Sequence, residues 1–564
     1  MKQFLEWGRR FRGKKLLLVW TAFLILALAL FAERSGVQYT SAFFRLQYLE
    51  KTQAIPASQA MAGQPEICFV LCDTAQDGVP QAEEMFAQIL LDMKVAARIM
   101  DLKDTPAETL PDFSGYQTVV VLMPNLDVLG MRLINLVRWV EQGGSALFAM
   151  TLVKTNSFDV AAPKLGIQTS AWEYDYVESI VPTASFMLGG GQRYDLSDPF
   201  RSALRISLRD TAVVHALSGE KQVPLVWSTT LGSGRIVMDN IGIYGKVVRG
   251  FYAVSYSLLG SAQAYPVINS AAFYLDDFPS PVPGSDGTYI RRDYGMNIGE
   301  FYSKVWWPDL VQLAQQYGIR FTGVMIENYE DDTASAPVQQ RDLQQFRYFG
   351  SLLLRQGGEL GFHGYNHQPL VLPDTDYQDR YSYHPWPDTA AMLNGLQELL
   401  RFQQEALPYV AGSVYVPPSN ILSAAGRQLL SREIPQIRTT ASTYFGDGTD
   451  LPYVQEFGVA EDGIVEQPRI VSGSMAGDSY MRLAAVSELN MHYVSTHFMH
   501  PDNLLDVDRG AAEGWQAYKT GLQDYLQWLT TAVPDLRMQT GTECSGAIQR
   551  YAGLNVSMET TADA

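Results

Sequence analysis

Two adjacent carboxylates, Asp276 and Asp277, close an apolar run from Ala271 to Leu275, and Pro279 follows almost at once. The run reads as a buried strand that proline forbids from continuing. Like charges side by side repel, so a buried pair of this kind needs a cation or a shared proton. Alone, Asp-Asp-Phe-Pro is also an ordinary turn opening. The histidines narrow the choice. The chain has seven, and six of them fall between His363 and His500. His363 and His367 follow the apolar Leu360-Gly-Phe; if Gly364 opens a helical turn, both imidazoles share a face and reach one metal ion. In the segment from His492 to Asp502, residues 492–496 read as a strand with His497 at its exit, and Pro501 stops any continuation. Each histidine singly could be a core residue satisfied by a carbonyl. Three strand exits carrying Asp or His are the pattern by which barrel enzymes gather catalytic groups on one face.

The elements around these residues fall into two regions. Before them, Ile67–Leu71, Val95–Leu102, Val119–Met123 and Ser145–Thr151 read as strands, with helices over Pro80–Met93 and Met131–Glu141. Alternating strands and helices imply an open α/β sheet. This region resembles the glutamine-amidotransferase-like (flavodoxin-like) fold through Tyr116–Val121, Leu136–Phe148 and Gly232–Met238. The enzymes of that family need a cysteine on a tight strand-to-helix turn, whereas Ala146–Met150 here runs into Thr151-Leu-Val. The region is therefore read as non-catalytic, with docking or scaffold work.

Bulk properties bound the possibilities. A chain of 564 residues implies two or three domains. Hydrophobic content of 47% with 18% charged residues is that of a globular protein, and a net charge of -18 argues against a nucleic-acid partner, which needs a basic face. Cys68, Cys72 and Cys544 form no disulfide framework or zinc ribbon and read as structural. Basic residues from Lys2 to Lys15 precede an uncharged run from Leu16 to Ala32, with Glu33 after it. Such a run is at the short end of a membrane span, with the amino terminus cytoplasmic and the bulk exported. A cleaved signal peptide is the competing reading; the length favours an uncleaved anchor.

The segment from about 265 to 545 resembles the polysaccharide deacetylase superfamily (NodB homology, carbohydrate esterase family 4). Leu275-Asp276-Asp277 is similar to its first motif, His363–His367 to its metal motif, and Leu310–Val324 to the helix–strand step between them. The order of anchor, amidotransferase-like domain and deacetylase domain looks like that of the exported deacetylases of Gram-positive Pel-type exopolysaccharide systems. The resemblance implies Asp277, His363 and His367 as ligands of Zn2+ or another divalent transition metal. It implies Asp276 as general base and His497 as general acid, with His500 the alternative acid. The activity implied is N-deacetylation of N-acetylhexosamine units in an extracellular polysaccharide, within a membrane synthesis complex.

Two features depart from that pattern. The stretch matching the family's third motif, Val414–Asn420, lacks the arginine that orients the base, and Arg438 is the replacement considered. The family's Asp-Trp motif has no clear counterpart, Trp515 falling in a helical pattern. Residues 279–308 read as a substrate-covering loop in which Trp306 and Trp307 stack on sugars or, equally, belong to the core. Expected overall is an α/β chain: tip and anchor 1–35, linker 36–64, open-sheet domain 65–262, (β/α) deacetylase barrel 265–545 and tail 546–564. A catalytically inactive polysaccharide-binding scaffold is the first rival. A glycoside hydrolase is the second, with Glu327 and Glu466 as the only candidate acids.

Overall fold

Cys68–Cys72 forms the first strand, β1, of a nine-stranded sheet in the computed structural model, which describes residues 2–34, 49, 50, 52, 64–260, 263–279, 287–377, 380–408, 410–554 and 556. The other strands are β2 (Ala97–Asp101), β3 (Thr118–Leu122), β4 (Ser145–Phe148), β5 (Ile167–Pro182), β6 (Tyr194–Leu208), β7 (Val213–Ser218), β8 (Pro224–Leu231) and β9 (Gly234–Asp239). Their order is β2-β1-β3-β4-β9-β8-β7-β5-β6. From β2 to β9 neighbours run parallel, and both β1 and β3 are wholly buried, as continuous apolar runs between helices should be. Helices Val79–Asp92 and Met131–Glu141 pack against this half. From β9 to β6 the neighbours are antiparallel. That extension carries no clear signal in sequence, because the β5–β6 pairing breaks register four times and scrambles the alternation of buried and exposed residues.

The second sheet is built from β10 (Ser270–Phe278), β11 (Phe321–Met325), β12 (Glu359–Phe362), β13 (Val414–Tyr415), β14 (Thr439–Thr440), β15 (Gly458–Val459), β16 (Val465–Glu466), β17 (Val471–Ser472), β18 (Val494–Met499) and β19 (Met538–Gln539). Its order is β15-β16-β14-β13-β12-β11-β10-β18-β17, with β19 added beside β10. It curls into a half-barrel where the sequence led to the expectation of a (β/α) barrel. The gap is narrowed by the chain between β16 and β17. There Gln467 and Arg469 donate backbone N–H groups to Thr440 and Ser442, and Ile470 donates to Thr496 on the opposite edge. This crossing segment places Arg469 across from β10.

The two sheets share one core. Residues of β1, of helices Val79–Asp92 and Arg249–Ser257, and of β10, β18 and the final helix Gly541–Gly553 belong to a single apolar cluster. Gly250 donates its N–H to Ser487 Oγ at 2.9 Å, and a Cβ added to Gly250 would lie 1.9 Å from the Ser487 carbonyl oxygen. Asn490 grips both the N–H and the carbonyl of Leu188, and Arg249 reaches Glu456 at 2.7 Å. The buried His492 sits between Glu488 (2.8 Å) and Asp92 (3.3 Å), joining the two halves by charge.

At the amino terminus, Lys2–Arg34 is one helix of 33 residues whose large apolar side chains from Leu17 to Phe31 are exposed. Among the described residues, no helix is long and apolar enough to cross a membrane, so the spanning anchor expected from sequence is not supported. Most of the expected linker, and the tail from 557, lie outside the described residues. The segment from 546 begins inside the fold, since Ala547, Ile548 and Tyr551 are buried in the last helix.

Candidate metal centre

The acid pair lies within the last three residues of β10, at the strand end expected from sequence. Pairing with β11 is broken between Leu275 and Phe278, and Asp277 adopts φ 53°, a left-handed conformation that re-aims its carboxylate. Both acids are buried, and Asp277 Oδ1 has no hydrogen-bond partner. Burial, with Asp502 and Asp276 close by, pushes the Asp277 pKa well above the usual carboxylate range. A buried carboxyl oxygen left so is a costly arrangement unless a cation meets it.

Two imidazoles face that oxygen. His363 follows β12 and donates from Nδ1 to the Val416 carbonyl at 2.8 Å, which turns Nε2 inward without a hydrogen-bond partner. His367 is brought alongside by Gly364 at φ 100° and by its own φ of 58°. The segment 363–369 is thus a tight irregular bend; the helical turn expected from the spacing is absent. His363 Nε2 and His367 Nε2 lie 3.5 and 3.6 Å from Asp277 Oδ1. Ligand atoms about 2.0–2.1 Å from a tetrahedral ion stand about 3.3–3.5 Å apart, so these three atoms fit one zinc-sized cation. Burial pushes His363 down to about 4 and His367 down to about 3, which keeps both in the neutral, ligating form. Four residues near the centre (Asp277, His367, Ser419 and Asn420) are non-glycine with positive φ, and such strain persists where function demands geometry.

Asp276 is held differently. Arg469 Nη1 donates to its Oδ2 at 2.5 Å, while Arg469 Nη2 donates to Asn420 Oδ1 at 2.8 Å and the guanidinium lies 4.0 Å from the centre of the Phe498 ring. Burial works to raise the Asp276 pKa, but Arg469, His363 and His500 together outweigh it and hold the pKa below the ordinary value. His500 Nε2 is 3.6 Å from Asp276 Oδ2, and with His363 these groups form a second cluster beside the first.

Asp276, Asp277, His363, His367 and His500 are therefore brought together; other sequence candidates are not. β18 runs to Met499, three residues beyond the expected end, so His497 is inside the strand and the exit belongs to His500. The His497 ring stacks on Tyr525 and donates Nε2 to the Gly473 carbonyl at 2.8 Å. Arg438 makes no bond to Asp276: its backbone ties β14 to Ser413 and Val465, and Arg469 stands where an arginine was sought. The expected covering loop is mostly helical, through Thr288–Tyr294, Ile298–Phe301 and the π-helical turn Tyr302–Trp306, while 280–286 lie outside the described residues. Trp306 and Trp307 are core residues packed on Tyr302, Trp515, Phe278 and Phe349. Glu327 accepts the Gln340 N–H, and Glu466 pairs with Arg427 at 2.7 Å and accepts from Tyr453, so neither joins the cluster. Sequence reading missed Arg469 and Asn420. Asn420 was already within the third-motif stretch; Arg469 carries only the weak signal of a charge beside the apolar Ile470-Val471.

Comparison with known proteins adds a family and some distant shapes. No curated protein matches the chain. Solved structures that match include one from Mycobacterium smegmatis assigned as a polysaccharide deacetylase, at 14% identity over 53% of this chain and 96% of that one, with TM-score 0.32. A protein from Parabacteroides merdae assigned as ThuA-like matches at 12% identity over 36% of this chain and 93% of that one, with TM-score 0.28. The exo-beta-1,4-mannosidase Op5Man5 from Opitutaceae bacterium strain TAV5 matches at 15% identity over 34% of this chain, with TM-score 0.25, and the chain spans only 33% of its length. Residues 22–200 and 196–564 match the family described as "Uncharacterised protein conserved in bacteria (DUF2194)", and the chain belongs to that family.

Proposed function

We propose that the chain is a metal-dependent deacetylase that removes acetyl groups from N-acetylhexosamine units of an extracellular polysaccharide. The observation that carries this reading is the pairing of two clusters on one strand end. One holds three unsatisfied or inward-facing ligand atoms on Asp277, His363 and His367; the other holds an ionised acid, Asp276, between Arg469 and His500. Zinc bound by the first cluster would polarise the acetamide oxygen and make a water more acidic. The residues of the second cluster carry the protons. Asp276, kept ionised by Arg469, takes the proton lost by the attacking water as its oxygen bonds to the acyl carbon. His500 delivers a proton to the nitrogen as the C–N bond breaks, because an amide nitrogen departs poorly as an anion. Acetate and a free amine result. Hydrolysis by two carboxylates finds no support, since Glu327 and Glu466 stand in structural hydrogen bonds.

We also propose that the protein works outside the cell beside a membrane polysaccharide synthesis or export complex, for which the exposed apolar side chains from Leu17 to Phe31 offer a contact surface. The central test is zinc content and acetate release from an N-acetylated hexosamine polymer, in the full chain and in Asp277→Ala. Stoichiometric zinc with acetate release, both lost in the variant, supports the reading. A folded wild type that takes up no zinc from added salt refutes it.

A further inference from the structure

An aromatic staircase leads away from the metal centre. The Tyr383 ring meets the His367 ring edge-on, with centroids 5.8 Å apart, and Tyr381 stacks on Tyr383 at 5.4 Å with an interplanar angle of 16°. Tyr377 stands edge-on to Tyr383 at 6.0 Å, and its buried hydroxyl has no hydrogen-bond partner among the described residues. Tyr381, the outermost ring, is 36% exposed.

This segment is pinned at both ends. Arg380 pairs with Asp447 at 2.7 Å, and the His384 N–H donates to Gln368 Oε1 at 2.7 Å while His384 Nδ1 donates to the Asp331 carbonyl. Tyr383 itself shares a hydrogen bond of 2.6 Å with Ser419 Oγ, in the strained turn beside the centre. Rings fixed in this way lose little freedom when a ligand stacks on them.

Pyranose rings present flat faces of C–H groups that pack on aromatic rings, while their hydroxyls remain free for polar groups at the edge. We infer that Tyr381 and Tyr383 form a sugar-stacking shelf for a unit next to the one that reacts, so that the site recognises a glycan chain and not a free monosaccharide. The inference rests on the deacetylase reading for the identity of the sugar. The rings run from His367, a metal-centre residue, to the exposed Tyr381 at centroid spacings of 5.8 and 5.4 Å, away from the atoms that react. The buried Tyr377 hydroxyl offers an unsatisfied polar atom on the residue that meets the edge of Tyr383.

The test compares penta-N-acetylchitopentaose with free N-acetylglucosamine on the full-length, zinc-loaded protein, by acetate release and by calorimetric binding. Replacing an aromatic side chain by alanine weakens the stacking of a nucleic-acid base on it about 5- to 150-fold, and a sugar face is expected to respond in the same direction. Tyr381→Ala is therefore expected to lower the preference for pentamer over monomer by about tenfold or more, and Tyr381→Phe, which keeps the ring, to retain it. An active Tyr381→Ala protein with the wild-type preference overturns the shelf while leaving deacetylation intact. Pentamer binding that Tyr381→Ala weakens, without acetate release from any acetylated sugar, keeps the shelf and overturns deacetylation. A zinc-loaded wild type that binds neither sugar overturns the shelf.

Discussion

Arg469 and Asp276 are 193 residues apart in the chain, yet they form a buried ion pair with Nη1 and Oδ2 separated by 2.5 Å. Removing one member of such a pair strands the other in a medium that disfavours its charge, at a cost of about 3–5 kcal/mol. Arg469→Met should lower the unfolding free energy by about that amount and reduce acetate release at least a hundredfold, while zinc binding survives. Chemical denaturation and zinc analysis on the same preparation check both halves. Wild-type stability in Arg469→Met would show that Asp276 does not depend on this arginine.

Zinc should stabilise the folded chain through Asp277, His363 and His367 alone. A ligand that binds only the native state at a hundred times its Kd adds about 2.7 kcal/mol. Added zinc is expected to raise the unfolding midpoint of the wild type and to leave Asp277→Ala and His363→Ala unmoved. An equal rise in all three would place the ion elsewhere.

His497 and His500 should separate cleanly. His500→Gln keeps the fold and lowers acetate release by about 10²–10⁴, the usual worth of a proton-transfer group. His497→Gln disturbs a buried ring and its bond to Gly473, so its main effect is a stability loss of about 1–3 kcal/mol. The opposite ranking, with the folded His497→Gln protein inactive and His500→Gln active, would return the acid role to His497.

Trp306 is a core residue, and Trp306→Ala should cost about 3–5 kcal/mol of stability. Thermal unfolding measures it directly. A fully stable variant with selectively weakened sugar binding would contradict the packing described above.

Stability should also fall in mild alkali. Burial disfavours a charged His492, but Glu488 and Asp92 overcome that and bring its pKa up to about 10. A folded pKa raised above the unfolded value of 6.5 stabilises fully below about pH 6.5, and this contribution is lost as pH rises through about 10. Unfolding free energy is thus expected to decline between about pH 7 and 10, and more steeply than in His492→Gln. Parallel profiles for the two proteins would exclude the histidine as the cause.

Local chemistry was legible in the sequence wherever a few consecutive residues decide it. Asp276-Asp277 after an apolar run, and His363 and His367 after another, announce themselves without tertiary context. Strands β1 and β3 did so too, since burial on both faces forces unbroken apolar runs. Arg469 was hidden because its role depends on how far the second sheet curls, and no spacing encodes that. His497 was misplaced because pairing with β10 and β17 on both sides carries β18 to Met499. Trp306 and Trp307 sit among prolines and glycines that read as a loop, yet the capping box at Asn297 and Glu300 starts a helix there.

Gly250 pressed against Ser487 has a bearing on descent as well as on folding. The open-sheet half supplies one wall of the other half's interior and one of the acids, Asp92, that flank His492. Recombination near residue 262 would give a new neighbour a bare apolar wall and an ion pair with a member missing. Lineages carrying this architecture should therefore drift as whole chains, with substitutions on one wall answered by substitutions on the other.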